Sequence, residues 1–76
     1  MDPGVVENVY KFISDFIGQN GFSPSIREIA KGCYISTTYV LRCLDLLESQ
    51  GRLTREPGKA RSIRLLDPNN DAKQMF

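Results

Sequence analysis

The sequence has no histidine, no tryptophan and only two cysteines, Cys33 and Cys43, which do not form a CxxC pair. Without histidine, His-based triads and His metal sites are excluded, and two thiols cannot build a four-cysteine zinc site. The two cysteines are expected to be reduced, partly buried thiols. There is no GxxxxGK phosphate cradle and no strand–GxGxxG–helix unit. None of the six serines has a convincing base nearby in the chain. The acidic residues are scattered over predicted surfaces. No catalytic residue, metal, cofactor or small-molecule substrate is therefore expected, and the chain does not read as an enzyme. No apolar run approaches the roughly 18 residues of a membrane span. The start, MDPGVVENVY, lacks the basic and apolar regions of a signal peptide. A cytoplasmic protein with no membrane partner is expected.

What is present fits one small domain. Seventy-six residues bury only roughly 60% of the surface that the unfolded chain exposes, which leaves room for three helices and a hairpin. Net charge is +1, but it is unevenly spread. Residues 1–20 carry Lys11 against Asp2, Glu7 and Asp15, whereas residues 51–66 carry Arg52, Arg55, Lys59, Arg61 and Arg64 against Glu56 alone. Positive charge gathered in one segment marks a local site for an anionic partner, or else a solvated hairpin.

Asp2-Pro3 reads as an N-cap and first helical position. Val5, Val6, Val9, Phe12, Ile13, Phe16 and Ile17 then fall on one face of a helix, and Asn20-Gly21 stops it. Ser25-Ile26-Arg27-Glu28 matches a capping box. It opens a short helix to about Gly32 that buries Ile26, Ile29 and Ala30. Cys33 to Ile35 form the predicted turn. Ser36 caps a third helix to about Gln50, with Val40, Cys43, Leu44 and Leu47 inward and Leu41 at the margin of that stripe. Leu46 falls on the polar side, where it either packs under a loop or contacts a partner. Arg52–Arg55 and Ser62–Leu66 can be strands joined by a Pro57-Gly58 turn, with Leu53, Ile63 and Leu65 inward. Residues 67–76, DPNNDAKQMF, read as a flexible tail or linker.

The expected fold is mainly α with a small β-hairpin, a three-helix winged helix-turn-helix over residues 1–66. The second and third helices have helix-turn-helix spacing, in which the first crosses the DNA backbone and the second enters the major groove. GFSPSIREIA resembles the segment that opens the helix-turn-helix of bacterial LexA repressors, where Gly-x-Pro-Pro-Ser/Thr-x-x-Glu-Ile is common. EPGKARSIRLL resembles the wing of that family. The similarity covers about residues 5–66. It departs at Tyr34, where a turn glycine is frequent, and at Cys43, where histidine is frequent. No counterpart of the family's Ser-Lys self-cleavage domain is present, so neither its cleavage nor its main dimer interface is expected. The resemblance implies a sequence-specific regulator of transcription, a repressor domain of bacterial, phage or plasmid type with double-stranded DNA as partner.

In that role Ser36 and Thr37 would meet phosphate at the start of the third helix. Thr38, Tyr39 and Arg42 would reach base edges, with Arg42 suited to a bidentate contact with guanine. Ser25 and Arg27 would hold the backbone from the start of the second helix. Lys59 and Arg61 in the wing would grip phosphate or enter the minor groove. Arg55 and Arg64 are weaker candidates, because strand arginines often only solvate a sheet. A homodimer on a two-half-site operator would raise affinity. The alternative reading is a winged-helix protein-interaction module, marked by an apolar patch of Leu41 and Leu46 and by no salt-sensitive affinity for DNA.

Overall fold

The computed structural model describes residues 2–56 and 58–66. Three helices precede a two-stranded hairpin: α1 (Pro3–Asn20), α2 (Ile26–Cys33), α3 (Thr37–Ser49), β1 (Leu53–Thr54) and β2 (Arg64–Leu65). This is the mainly α, winged helix-turn-helix arrangement that the sequence predicts. The predicted tail over 67–76, and Pro57 of the predicted wing turn, lie outside the described residues.

Local chemistry sets most of the helix ends. The Asp2 carboxylate accepts from the Gly4 N–H at 2.8 Å, and Pro3 loses nothing as a first-turn residue without an N–H. Gly21, at φ 79°, closes α1 by donating to the Ile17 carbonyl at 2.8 Å. The capping box forms as predicted. The Ser25 hydroxyl accepts from Glu28 N at 3.1 Å, and Glu28 Oε1 accepts from Ser25 N at 2.8 Å. The Ser36 hydroxyl accepts from Tyr39 N at 3.1 Å and opens α3.

The turn between α2 and α3 differs from the expectation. Cys33 is still helical, and the break comes at Tyr34, a left-handed residue at φ 59°. Its N–H and that of Ile35 both reach the Ala30 carbonyl. The left-handed residue, not the cysteine, ends the helical ladder. Upstream, a Cβ on Gly32 would stand 2.1 Å from the Phe12 ring, so α1 and α2 approach closely because this position is bare.

The core gathers Val6, Val9 and Ile13 of α1, Ile29 and Ala30 of α2, Val40, Cys43, Leu44 and Leu47 of α3, with Leu53 and Ile63 from the wing. Val5, Phe12, Phe16 and Ile17 are only half-buried, because so small a core covers only part of the wide apolar arc of α1. Leu46 is half-buried and packs against the core. Leu41 is 41% exposed. Neither cysteine is in a disulfide among the described residues; Cys43 is fully buried and Cys33 half-buried, and burial raises both thiol pKa values.

The hairpin pairs Leu53 with Leu65 and Thr54 with Arg64, and the Leu66 N–H adds a bond to the Arg52 carbonyl at 2.8 Å. The strands are shorter than the predicted 52–55 and 62–66. Beyond Thr54 a side chain replaces the ladder. The Ser62 hydroxyl accepts from Glu56 N at 3.1 Å and lies 3.1 Å from the Glu56 and Lys59 carbonyls, to one of which it donates.

Tyr34 is 94% exposed, so its ring gains little from burial while its backbone bears the left-handed cost of about 1–2 kcal/mol. Tyr34→Gly should relieve that cost, less the roughly 0.5–1 kcal/mol of extra chain entropy that glycine loses on folding. A thermal melt should show a net gain of up to about 1.5 kcal/mol, and so a Tm no lower than before. A lower Tm would show that the ring makes a stabilising contact.

Candidate nucleic-acid interface

The basic segment of the wing does not stand alone once the chain folds. Arg52 donates to the Glu7 carboxylate, at 2.9 Å from Nη2 to Oε1, and its guanidinium lies 4.3 Å from the centre of the Tyr10 ring. Arg55 pairs with Asp45 and, at 2.7 Å, with Glu48. Lys59 pairs with Glu56 at 3.1 Å. Arg61 pairs with Glu28 at 2.7 Å. Of the five wing cations, Arg64 alone carries no ion pair among the described residues. Acids from α1, α2 and α3 thus answer much of the charge that the linear sequence concentrates in the wing.

The helix-turn-helix behaves differently. Arg27 on α2 and Arg42 on α3 are exposed and have no carboxylate partner among the described residues. Ser36, Thr37 and Thr38 are exposed at the start of α3. The first N–H groups of α3 point out of that end, where a helix favours anions. Tyr39 is half-buried and packs against the core, leaving only part of its surface to solvent. Ser25 is half-buried, its hydroxyl committed to the cap of α2.

A groove of about 410 Å³ runs between the start of α2, the flank of α3 and the wing. Ser25, Arg27, Lys59 and Arg61 line it, so four predicted residues from two distant segments meet there. Leu41 lines it too. The sequence placed Leu41 at the margin of the core, because its apolar character says nothing about the groove beside it. Glu28 and Ser62 also went unrecognised as organisers of this region. Each acts through residues 33 and 6 positions away respectively, beyond the reach of helix periodicity.

Glu28 has its carboxyl pKa lowered, first by the hydrogen bond from Arg61 and then by the backbone bond from Ser25. Glu7 is lowered chiefly by its bond from Arg52. Both shifts favour the ionised carboxylate that holds a wing arginine.

A family described as the LexA DNA binding domain matches residues 6–62. The chain is 39% identical over 67 residues to the LexA repressor of Koribacter versatilis, covering 87% of this chain and 32% of that protein. It is 42% identical over 60 residues to the LexA repressor of Thermosipho melanesiensis, covering 79% of this chain and 30% of that protein. Against the LexA repressor of Thermotoga maritima it is 42% identical over 57 residues, with coverage of 75% and 29%. The chain therefore spans about a third of the length of these relatives.

A folded carboxyl pKa below its unfolded value contributes stability above the unfolded value and loses it as pH falls through the folded one. The Glu28 and Glu7 pairs should therefore hold above about pH 4.3, the ordinary glutamate value, and release in more acid solution. In an NMR titration of the side-chain carboxyls, Arg61→Ala should move the Glu28 midpoint upward and leave Glu7 in place. An unmoved Glu28 midpoint would contradict the pairing.

Proposed function

The chain belongs to the family of LexA DNA-binding domains, and we propose that it reads double-stranded DNA with sequence specificity, as the DNA-binding part of a transcriptional repressor. The observation that carries this reading is the placing of free charge. Arg27 and Arg42 are exposed on the two helices of the helix-turn-helix and have no carboxylate partner among the described residues. A phosphate backbone meets such cations without first having to displace a carboxylate.

In this reading α3 enters the major groove. Ser36 and Thr37 meet phosphate at its start, and Thr38, Arg42 and the exposed part of Tyr39 face base edges. Arg42 offers a planar fork to the O6 and N7 of guanine. Ser25 and Arg27 hold the backbone from α2. From the wing, Lys59 and Arg61 line the protein groove that Arg27 also lines, and Lys59 pairs with Glu56, an exposed carboxylate three residues away. One such module makes few phosphate contacts, so two copies on a two-half-site operator would bind far more tightly than one. Its place of action is the cytoplasm, on bacterial, phage or plasmid DNA.

The protein-interaction alternative draws little support. It needs Leu41 and Leu46 as one apolar patch, and Leu46 packs against the core. No described helix is long and apolar enough to cross a membrane.

The test is a titration of palindromic and scrambled duplexes across a salt series. Affinity should fall steeply with salt and favour one site. Arg42→Ala should then cost about 1–3 kcal/mol on the preferred site and little on scrambled DNA. Lys59→Ala should weaken all duplexes alike and flatten the salt slope by about one unit. Equal losses on both duplexes would reduce Arg42 to a phosphate contact. Absence of binding even at low salt would refute the proposal for this chain.

A further inference from the structure

Arg61 makes a different set of contacts from the other wing cations. Its backbone is left-handed at φ 54°, a conformation uncommon outside glycine. From there its Nη1 donates to Glu28 Oε1 at 2.7 Å and to the Ser23 carbonyl at 3.2 Å. Its guanidinium lies 5.1 Å from the centre of the Phe22 ring, which stacks edge-on against Phe16 of α1 at 5.6 Å. Ser23 is buried. One side chain thus joins the wing to the linker before α2, to the cap of α2 and, through Phe22, to the end of α1.

The acceptor on α2 is shared. Glu28 Oε1 takes both the Ser25 N–H at 2.8 Å and the Arg61 guanidinium at 2.7 Å. The oxygen that completes the capping box is also the one that holds the wing. Both Nη1 hydrogens of Arg61 are committed, to Glu28 and to Ser23, and a phosphate reaching the remaining Nη2 and Nε donors would meet the Glu28 negative charge beside them. Lys59 faces a weaker conflict, since its ion-pair partner among the described residues is Glu56, within the wing and more exposed than Glu28.

We infer that Arg61 is a positioning residue, which fixes the wing against the cap of α2 through Glu28 and Ser23 so that, of the two wing cations lining the groove, Lys59 and not Arg61 meets phosphate. This rests on the DNA-binding reading above and assigns a role within it. The lowered carboxyl pKa of Glu28 agrees with a standing bond to Arg61.

Two substitutions separate the two roles by sign. Glu28→Gln keeps an amide oxygen for the Ser25 N–H but removes the negative charge. If Arg61 positions the wing, Glu28→Gln weakens duplex binding even though it makes the protein more positive. The loss should reach at most about fivefold, the limit for a half-exposed pair. Arg61→Ala should weaken binding to a similar extent with the salt slope unchanged, and the double variant should lose no more than either single one. Hydrogen exchange at the wing amides of Arg64 and Leu66 should quicken in both single variants while their thermal melts stay cooperative. The inference is overturned if Glu28→Gln tightens binding, or if Arg61→Ala flattens the salt slope by about one unit as a phosphate ligand would. Exchange at the wing amides also decides the positioning role without DNA. If the unsubstituted chain binds no duplex, the DNA reading fails. Faster wing exchange in the variants would still support the Arg61 attachment, and unchanged exchange would refute it.

Discussion

Every surface this domain presents depends on the burial of one stripe of α3. Val40, Cys43, Leu44 and Leu47 are all fully buried, and they face α1, α2 and the first wing strand together. Complete burial of an aliphatic side chain contributes about 1.5–3 kcal/mol. A surface ion pair contributes roughly 0–1 kcal/mol. The stripe therefore decides where α3 sits, and the arginine–carboxylate pairs decide only how the parts around it are aimed. Once those four residues point inward, the periodicity of the helix turns Thr38 and Arg42 outward. The outward face follows from the buried one.

The same division of labour governs charge. Summed along the sequence, the wing is a strongly basic segment. Folding brings Glu7 of α1, Glu28 of α2, and Asp45 and Glu48 of α3 against it. Much of the wing's charge is spent on attaching the hairpin to the helices. Among the described residues, the cations left without carboxylates include Arg27 and Arg42, which the linear count places in a neutral stretch. An anionic partner is guided by the folded distribution, not the linear one.

What could be read from the sequence was whatever a few neighbouring residues determine. The Asp2-Pro3 start, the Ser25-x-x-Glu28 box, the Ser36 cap and the Asn20-Gly21 stop are all complete within four residues, and all form as expected. The helical stripes were readable for the same reason. The end of α2 lies one residue beyond the expected one because the helix is closed by Tyr34 in a left-handed conformation that its side chain disfavours and local sequence does not signal. The wing strands were drawn too long because Ser62 replaces ladder bonds with its hydroxyl, which β-propensity does not register. Arg61 was legible as a basic wing residue, but its partner Glu28 lies 33 positions earlier and no local pattern connects them. Leu46, expected either under a loop or at a partner contact, packs against the core, and Leu41, expected at the margin of the stripe, is exposed, since such positions depend on which loop or hairpin lies over them.

The most direct measurement of the account is a map of backbone amide shifts in this chain as a short palindromic duplex is added. The account predicts that the perturbed amides cluster at the start of α2, along residues 36–42 and beside Lys59, with α1 unmoved on its outer face around Lys11 and Asp15. Perturbations centred on that outer face of α1, or on a second groove, lined by Ile17, Phe22 and Leu65, would contradict it and place the DNA on a different side of the fold.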